Sequence, residues 1–169
     1  MILVTVGTQL PFDRFVKIVD RIAANLPEEV FAQTGRGEYQ PVNMRFARVV
    51  GPIAFERLVR DCSRIVSHAG IGTIVMAQKH QKPLILFPRL GVLDEHRNDH
   101  QVATVRALSG RPGIYCAADE AELTALLGQD LQSPPPADHL PERQRLRNAV
   151  ATFIGDQRRL FDAKGSRLV

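Results

Sequence analysis

The chain has 169 residues, 44% of them apolar and 24% charged, enough for one compact domain that buries about 70% of its unfolded surface. Two cysteines, Cys62 and Cys116, exclude a disulfide framework or a cysteine zinc set and point to free thiols in a reducing compartment, and no apolar run approaches the roughly 20 residues of a membrane span. The formal charge of +4 belongs to the tail, because seven of the 22 basic residues but only three of the 18 acidic ones follow Leu140, leaving equal numbers before it.

Met1 leads without a basic leader into Ile2-Leu3-Val4-Thr5-Val6, a strand pattern that ends at Gly7, and Phe12 to Leu26 repeats apolar residues at helical spacing. The chain thus opens strand, loop, helix. Val30-Phe31-Ala32-Gln33 predicts a second strand before Gly35-Arg36-Gly37, and Phe46 to Val50 a third before Gly51-Pro52. A short helix over Phe55 to Cys62 precedes the buried-type strand Arg64-Ile65-Val66-Ser67. The turn His68-Ala69-Gly70-Ile71-Gly72 then leads into a helix that runs to His80 and is ended by Pro83. Leu84-Ile85-Leu86-Phe87, closed by Pro88, predicts the next strand; a polar loop to Asn98 follows, then a helix with Val102, Val105 and Leu108 on one face. Gly113 to Cys116 predicts a last short strand. Asp119 fits the N-cap of a helix over Glu120 to Leu127, with Glu122 at the capping-box position and Gly128 as terminator. Strands alternating with helices predict an α/β fold: a doubly wound, mostly parallel sheet with helices on both faces and ligands at the carboxyl ends of the strands.

Ser133-Pro134-Pro135-Pro136 marks the end of this body, so residues 1–132 are expected to form the domain and residues 133–138 a stiff linker. Residues 139–169 read as a basic amphipathic helix, with Val150, Phe153, Ile154 and Phe161 on its apolar stripe. Such a helix suits docking to a partner or to anionic lipid head groups. The body it leaves behind is neutral, with no Trp and two Tyr, which argues against a nucleic-acid partner.

Three loops that follow predicted strands hold the residues suited to chemistry, and in a doubly wound sheet they emerge on one edge. In the first, Gly7 permits close backbone approach and Thr8 is a donor near a helix start. In the second, Ser67 to Thr73, two glycines bare the amides of a helix N-terminus to a phosphate oxygen, and Thr73 adds a hydroxyl. This cradle lacks the third Gly of a dinucleotide fingerprint and the Gly-Lys-Ser/Thr of a P-loop. The third loop, Asp94 to Gln101, is polar throughout. His96 and His100 have the spacing of helical metal ligands, but the H-E-x-x-H glutamate is missing. Asn98, His100 and Gln101 are instead side chains that hydrogen-bond sugar hydroxyls.

Taken in order, Val4-Thr5-Val6-Gly7-Thr8 with Pro11-Phe12-Asp13-Arg14, then Val66 to Thr73, Lys82-Pro83-Leu84-Ile85 and Glu95 to Gln101, resemble the C-terminal domain of glycosyltransferase family 28. Size and opening are most similar to the stand-alone donor-binding subunits of split transferases: the small subunit of the dolichol-linked N-acetylglucosaminyltransferase and its bacterial counterparts in exopolysaccharide synthesis. The resemblance implies the Rossmann-like half of a GT-B enzyme that binds a UDP-sugar, while another half binds a lipid-linked acceptor and supplies the catalytic base. The 169 residues leave no room for that half. A membrane-anchored acceptor-binding subunit is therefore expected, with this chain cytoplasmic and peripheral at the inner face of the membrane.

By the same resemblance, Gly70, Ile71, Gly72 and Thr73 face the diphosphate, His100 and Gln101 match the polar pair that contacts the donor sugar, and His96 and Asn98 line the same pocket. Gly7, Thr8, His68, Ala69 and Glu95 complete the expected substrate-binding set. Met76 stands near the place where one branch of the family has a glutamate on the ribose hydroxyls, so that route to the ribose does not carry over to this chain. The implied reaction is an inverting transfer of a hexose, hexuronic acid or N-acetylhexosamine, with no cofactor and no metal, and with His68 in a supporting role. The competing reading is a nucleotide-binding regulatory or adaptor protein without transfer chemistry.

Overall fold

The computed structural model describes residues 1–136, so the expected helix over residues 139–169 and the end of the linker lie outside the described residues. Met1–Pro134 is one compact unit. Its strands are β1 (Ile2–Thr5), β2 (Val30–Gln33), β3 (Arg45–Ala47), β4 (Arg64–Ser67), β5 (Leu84–Leu86) and β6 (Ile114–Cys116). They form one sheet in the order β3-β2-β1-β4-β5-β6, with every pairing parallel. The connections carry α1 (Asp13–Ala23), α2 (Pro52–Asp61), α3 (Ile71–Lys79), α4 (His100–Leu108) and α5 (Glu120–Leu127). This is the doubly wound architecture expected from the alternation of strand and helix patterns.

The strands are apolar without alternation because both faces are covered. Ile2, Val4 and Val6 pack with Val66, Ile85 and Phe87 against α1 and α5. Leu3, Ile65, Leu84 and Leu86 pack against α2, α3 and α4 through Val59, Ala77 and Val105. Register aligns Leu3 with Ile65 and Ile65 with Leu84, so the second core is a row of side chains crossing the sheet. On the first face Phe12, Phe15 and Phe87 stack with centroids 5.1 and 5.4 Å apart at the two closer contacts, each ring at most 1% exposed. Burying a ring of that size stabilises the fold by about 1.5–3 kcal/mol.

Several boundaries differ from expectation, and one loop gains a turn. α1 stops at Ala23, and Leu26, before Pro27, only leans on the core. α2 begins at Pro52, which takes the first helical turn, where its missing N–H is no loss, instead of marking a break before Phe55. β3 covers Arg45–Ala47, after which Val49 and Val50 leave the sheet. The loop after β5 holds a single 3-10 turn, Gly91–Leu93. Two α1 carboxylates anchor the β2–β3 connection: Asp13 accepts from the Glu38 and Tyr39 amides, and Asp20 from the Tyr39 hydroxyl and the Val42 and Asn43 amides. Among the described residues no helix is long and apolar enough to cross a membrane.

Candidate functional site

The strand order reverses between β1 and β4, and in such sheets the crevice beyond the carboxyl ends of the two diverging strands receives ligands. A cleft of about 720 Å³ opens there. Thr5 to Leu10 form one wall, His68, Gly70, Gly72, Thr73 and Met76 another, and Arg89, His96 and Gln101 a third. Gln33, Val50, Pro52 and Phe55 extend it along β2 and the start of α2.

Gly70 is the N-cap of α3 and no side chain caps that helix, so its first-turn amides keep no side-chain partner beside the cleft. The positive end of the helix dipole, about half an elementary charge, adds to them. His68 fills the space between the first two loops. A Cβ on Gly7 would lie 3.0 Å from His68 Cε1, and one on Gly70 would overlap Nε2, so both loops need glycine where the ring packs. Gly7 also has φ +74°, the left-handed region that favours glycine. His68 Nδ1 lies 3.3 Å from Ser67 Oγ. Burial, and next the Arg89 charge, push the imidazole down to about 4, so the ring is neutral at pH 7 and acts as a hydrogen-bonding group.

Gln101 ties the second loop to the third: its Oε1 accepts from the Ala69 amide at 3.2 Å and the Arg89 amide at 3.1 Å. The amide nitrogen is the part of that group not engaged in these two bonds. His96 Nδ1 is buried and has no hydrogen-bond partner among the described residues, which marks a polar atom on the wall that a ligand can satisfy. Arg89 is buried beneath the first loop; burial lowers its guanidinium to about 10, partly offset by the Glu95 charge, and it stays a cation at pH 7.

Of the residues expected from the sequence, Gly7, Thr8, His68, Gly70, Gly72, Thr73, His96 and Gln101 come together on this cleft, as does Met76. Ala69, Ile71, Glu95, Asn98 and His100 do not line it. Ala69 is buried behind the cradle, and Ile71 is 74% exposed. Glu95 braces the third loop, taking a bidentate ion pair from Arg14 at 2.7 and 2.8 Å and the Leu90 amide at 3.0 Å. Asn98 accepts from the His100 amide, and both are exposed. Among the described residues no three His, Cys, Asp or Glu side chains converge as a metal site.

Gln33, Val50 and Arg89 were missed. A Gln at the carboxyl end of a buried parallel strand, and an Arg three residues after another, are polar groups delivered to the ligand edge, and that was the available signal. Val50 stood inside the expected third strand; its amide instead donates to Gln33 Oε1 at 3.2 Å and turns the chain along the cleft.

The fold resembles three solved glycosyltransferases. They are the glycotransferase of kitacinnamycin (TM-score 0.58, 20% identity), the calicheamicin glycosyltransferase CalG4 (0.56, 15%) and the spinosyn forosaminyltransferase SpnP (0.52, 22%). Each similarity covers 75% of this chain and 33%, 33% and 34% of theirs, so the chain spans about a third of their length. No curated protein matches the sequence. The model of the family described as "Glycosyltransferase family 28 C-terminal domain" matches residues 1–144. A match over that much of the chain, on a fold shared with glycosyltransferases, establishes that it belongs to the glycosyltransferase family 28 C-terminal domain family.

Proposed function

We propose that the cleft holds the nucleoside diphosphate of a UDP-sugar and that the chain is the donor-binding half of an inverting glycosyltransferase whose acceptor half is a second, membrane-anchored chain. The observation that carries this reading is the uncapped first turn of α3, opening with Gly70, Gly72 and Thr73 onto the crevice where the strand order reverses. When an acceptor hydroxyl attacks C1 of the sugar, the bond to the diphosphate breaks and negative charge grows on the departing oxygen. The α3 amides and the helix dipole face that charge at fixed positions and stabilise it without a metal. Neutral His68 contributes a hydrogen bond to the same group, and the proton leaving the acceptor passes to a base on the partner chain.

Gln101 and His96 suit the sugar end of the donor, with Asn98 and His100 at the adjacent rim. The sugar is a hexose, hexuronic acid or N-acetylhexosamine and the acceptor is lipid-linked. Ile53, Ile71 and Val75 stand exposed on α2 and α3, two of the helices that contribute to the cleft, which supports a second body closing over it. Residues 139–169, outside the described residues, are assigned to docking on that partner or on anionic head groups, and deleting residues 141–169 removes complex formation or membrane association if so.

Calorimetric titration of the full chain with UDP and UDP-sugars, followed by transfer assays with a co-expressed acceptor chain, tests the reading. UDP binding by the chain alone, with transfer to lipid-linked acceptor only when the partner is present, is the expected result. Turnover by the chain alone removes the two-chain arrangement. A chain that binds UDP but supports no transfer with any acceptor subunit is a nucleotide-binding regulator, and one that binds no nucleotide has another function.

A further inference from the structure

Arg89 is 2% exposed, and among the described residues no carboxylate lies within ion-pair distance of its guanidinium. A buried cation ordinarily has a counter-ion, because desolvating the charge is costly unless it is paired. Here backbone carbonyls surround it. Nη2 donates to the Val6 and Leu10 oxygens, each at 2.9 Å, and Nη1 to the Pro11 oxygen and, at 3.4 Å, the Glu95 oxygen. The Phe12 ring lies 4.4 Å beneath the guanidinium carbon. Three of the four acceptors belong to one turn, residues 6–11, which carries Gly7, Thr8 and Gln9 to the cleft.

That turn does not hold itself. No backbone–backbone hydrogen bond joins residues 7–11 to one another, and Gly7 keeps only a 3.3 Å amide contact to Thr5 Oγ1. Its shape is set from outside, by a side chain whose position is fixed in turn by Gln101 on the Arg89 amide. A lysine offers one compact ammonium, which cannot span carbonyls on both sides of the turn and lie flat on Phe12 as the planar fork does.

We propose that Arg89 is a positioning residue of the donor site, holding the turn of residues 6–11 so that Gly7, Thr8 and Gln9 face the donor diphosphate, whose negative charge is the counter-ion the buried guanidinium lacks. The inference rests on the donor-site reading for the identity of the anion, but not for the hold on the turn.

The test compares the full-length chain with Arg89→Lys, Arg89→Met and, as a core control, Val59→Ala, a buried residue on the α2 side of the sheet. Backbone 15N relaxation without ligand is expected to show residues 7–10 becoming mobile in both Arg89 variants while β1 and β4 stay rigid, and UDP affinity to fall by about tenfold to a hundredfold. Val59→Ala lowers the melting temperature and leaves UDP affinity unchanged. Wild-type rigidity of the turn in Arg89→Lys, wild-type UDP affinity in that variant, or an equal loss of affinity in Val59→Ala overturns the proposal. If neither Arg89 variant folds, the unsubstituted protein decides: its Arg89 guanidinium protons exchange slowly and their NMR signals shift on adding UDP, and rapid exchange or unmoved signals overturn it. A wild-type chain that binds no UDP refutes the donor-site reading, while the ligand-free relaxation measurement still decides whether Arg89 holds the turn.

Discussion

At the scale of single residues the site is governed by how little room surrounds His68. Gly7 and Gly70 come from loops far apart in the chain, yet each is limited by the same imidazole. Gly70→Ala is expected to cost about 1–3 kcal/mol in urea unfolding, because its Cβ meets a ring packed into the wall and not the free end of a flexible chain. Combining it with His68→Ala returns part of that loss, and strict additivity of the two would show that the ring is not what the glycine avoids. The same burial has a pH signature. The folded chain holds His68 near 4 against an ordinary 6.5, with Arg89 and His96 as the nearby cationic contributors. Between those values the unfolded chain takes up a proton that the folded one refuses, so stability is complete above about pH 6.5 and declines as the pH falls toward 4. The decline attributable to this group is on the order of 3 kcal/mol, and His68→Asn removes it. Parallel pH profiles for wild type and His68→Asn would disprove the assignment.

Among the elements, the parts that sequence made legible are those whose signals are local. The capping box of α5 is one: the Glu122 amide donates to Asp119 Oδ1 at 2.9 Å, and Glu122 Oε2 accepts from the Ala118 amide at 2.8 Å, all within five residues. Asp119→Ala should cost about 1 kcal/mol by thermal or urea unfolding. The buried strands β1, β2 and β4 were equally plain, since an unbroken apolar run that ends in Gly or a polar loop has few other readings. What stayed hidden was long-range. Nothing near Pro88-Arg89 announces that the guanidinium grips a turn 78 residues earlier. Nothing near Glu95 announces Arg14, 81 residues away, so a residue that braces the loop was expected to touch the ligand. Asp20 is a third such case. On the helical pattern it is an ordinary polar position of α1, but it is 1% exposed and accepts from the Tyr39 hydroxyl at 2.8 Å and from the Asn43 amide at 2.8 Å. Removing it strands the half-buried Tyr39 hydroxyl and the Val42 and Asn43 amides. Asp20→Ala should therefore destabilise by about 3 kcal/mol, several times an exposed substitution on the same helix. A loss below 1 kcal/mol would mean that water replaces the carboxylate.

For the molecule as a whole, a parallel sheet closed by helices on both faces gives the cleft a frame built on two cores. The frame extends to the last residues before the prolines. Leu131 packs on the first core, the Tyr115 hydroxyl accepts from the Gln132 amide at 2.8 Å and donates to the Gln132 carbonyl at 3.3 Å, and Arg64 reaches the Gln129 carbonyl at 2.7 Å. Gly113, with φ +79°, leaves space for Pro134, against which a Cβ would press. A chain ending at Pro134 therefore contains every one of these contacts and a chain ending at Gly128 contains none of them. The first should unfold in a single cooperative transition and bind UDP within about threefold of the full-length chain, a difference below about 0.7 kcal/mol. The second should lose about 2 kcal/mol or more, because it strips an apolar side chain from the core, removes both Gln132 partners of the Tyr115 hydroxyl and leaves Arg64 with only the Leu127 carbonyl at 3.3 Å. Equal melting temperatures for the two truncations would place the end of the folded unit before residue 129, and failure of the longer one to bind UDP would make the positively charged tail part of the donor site.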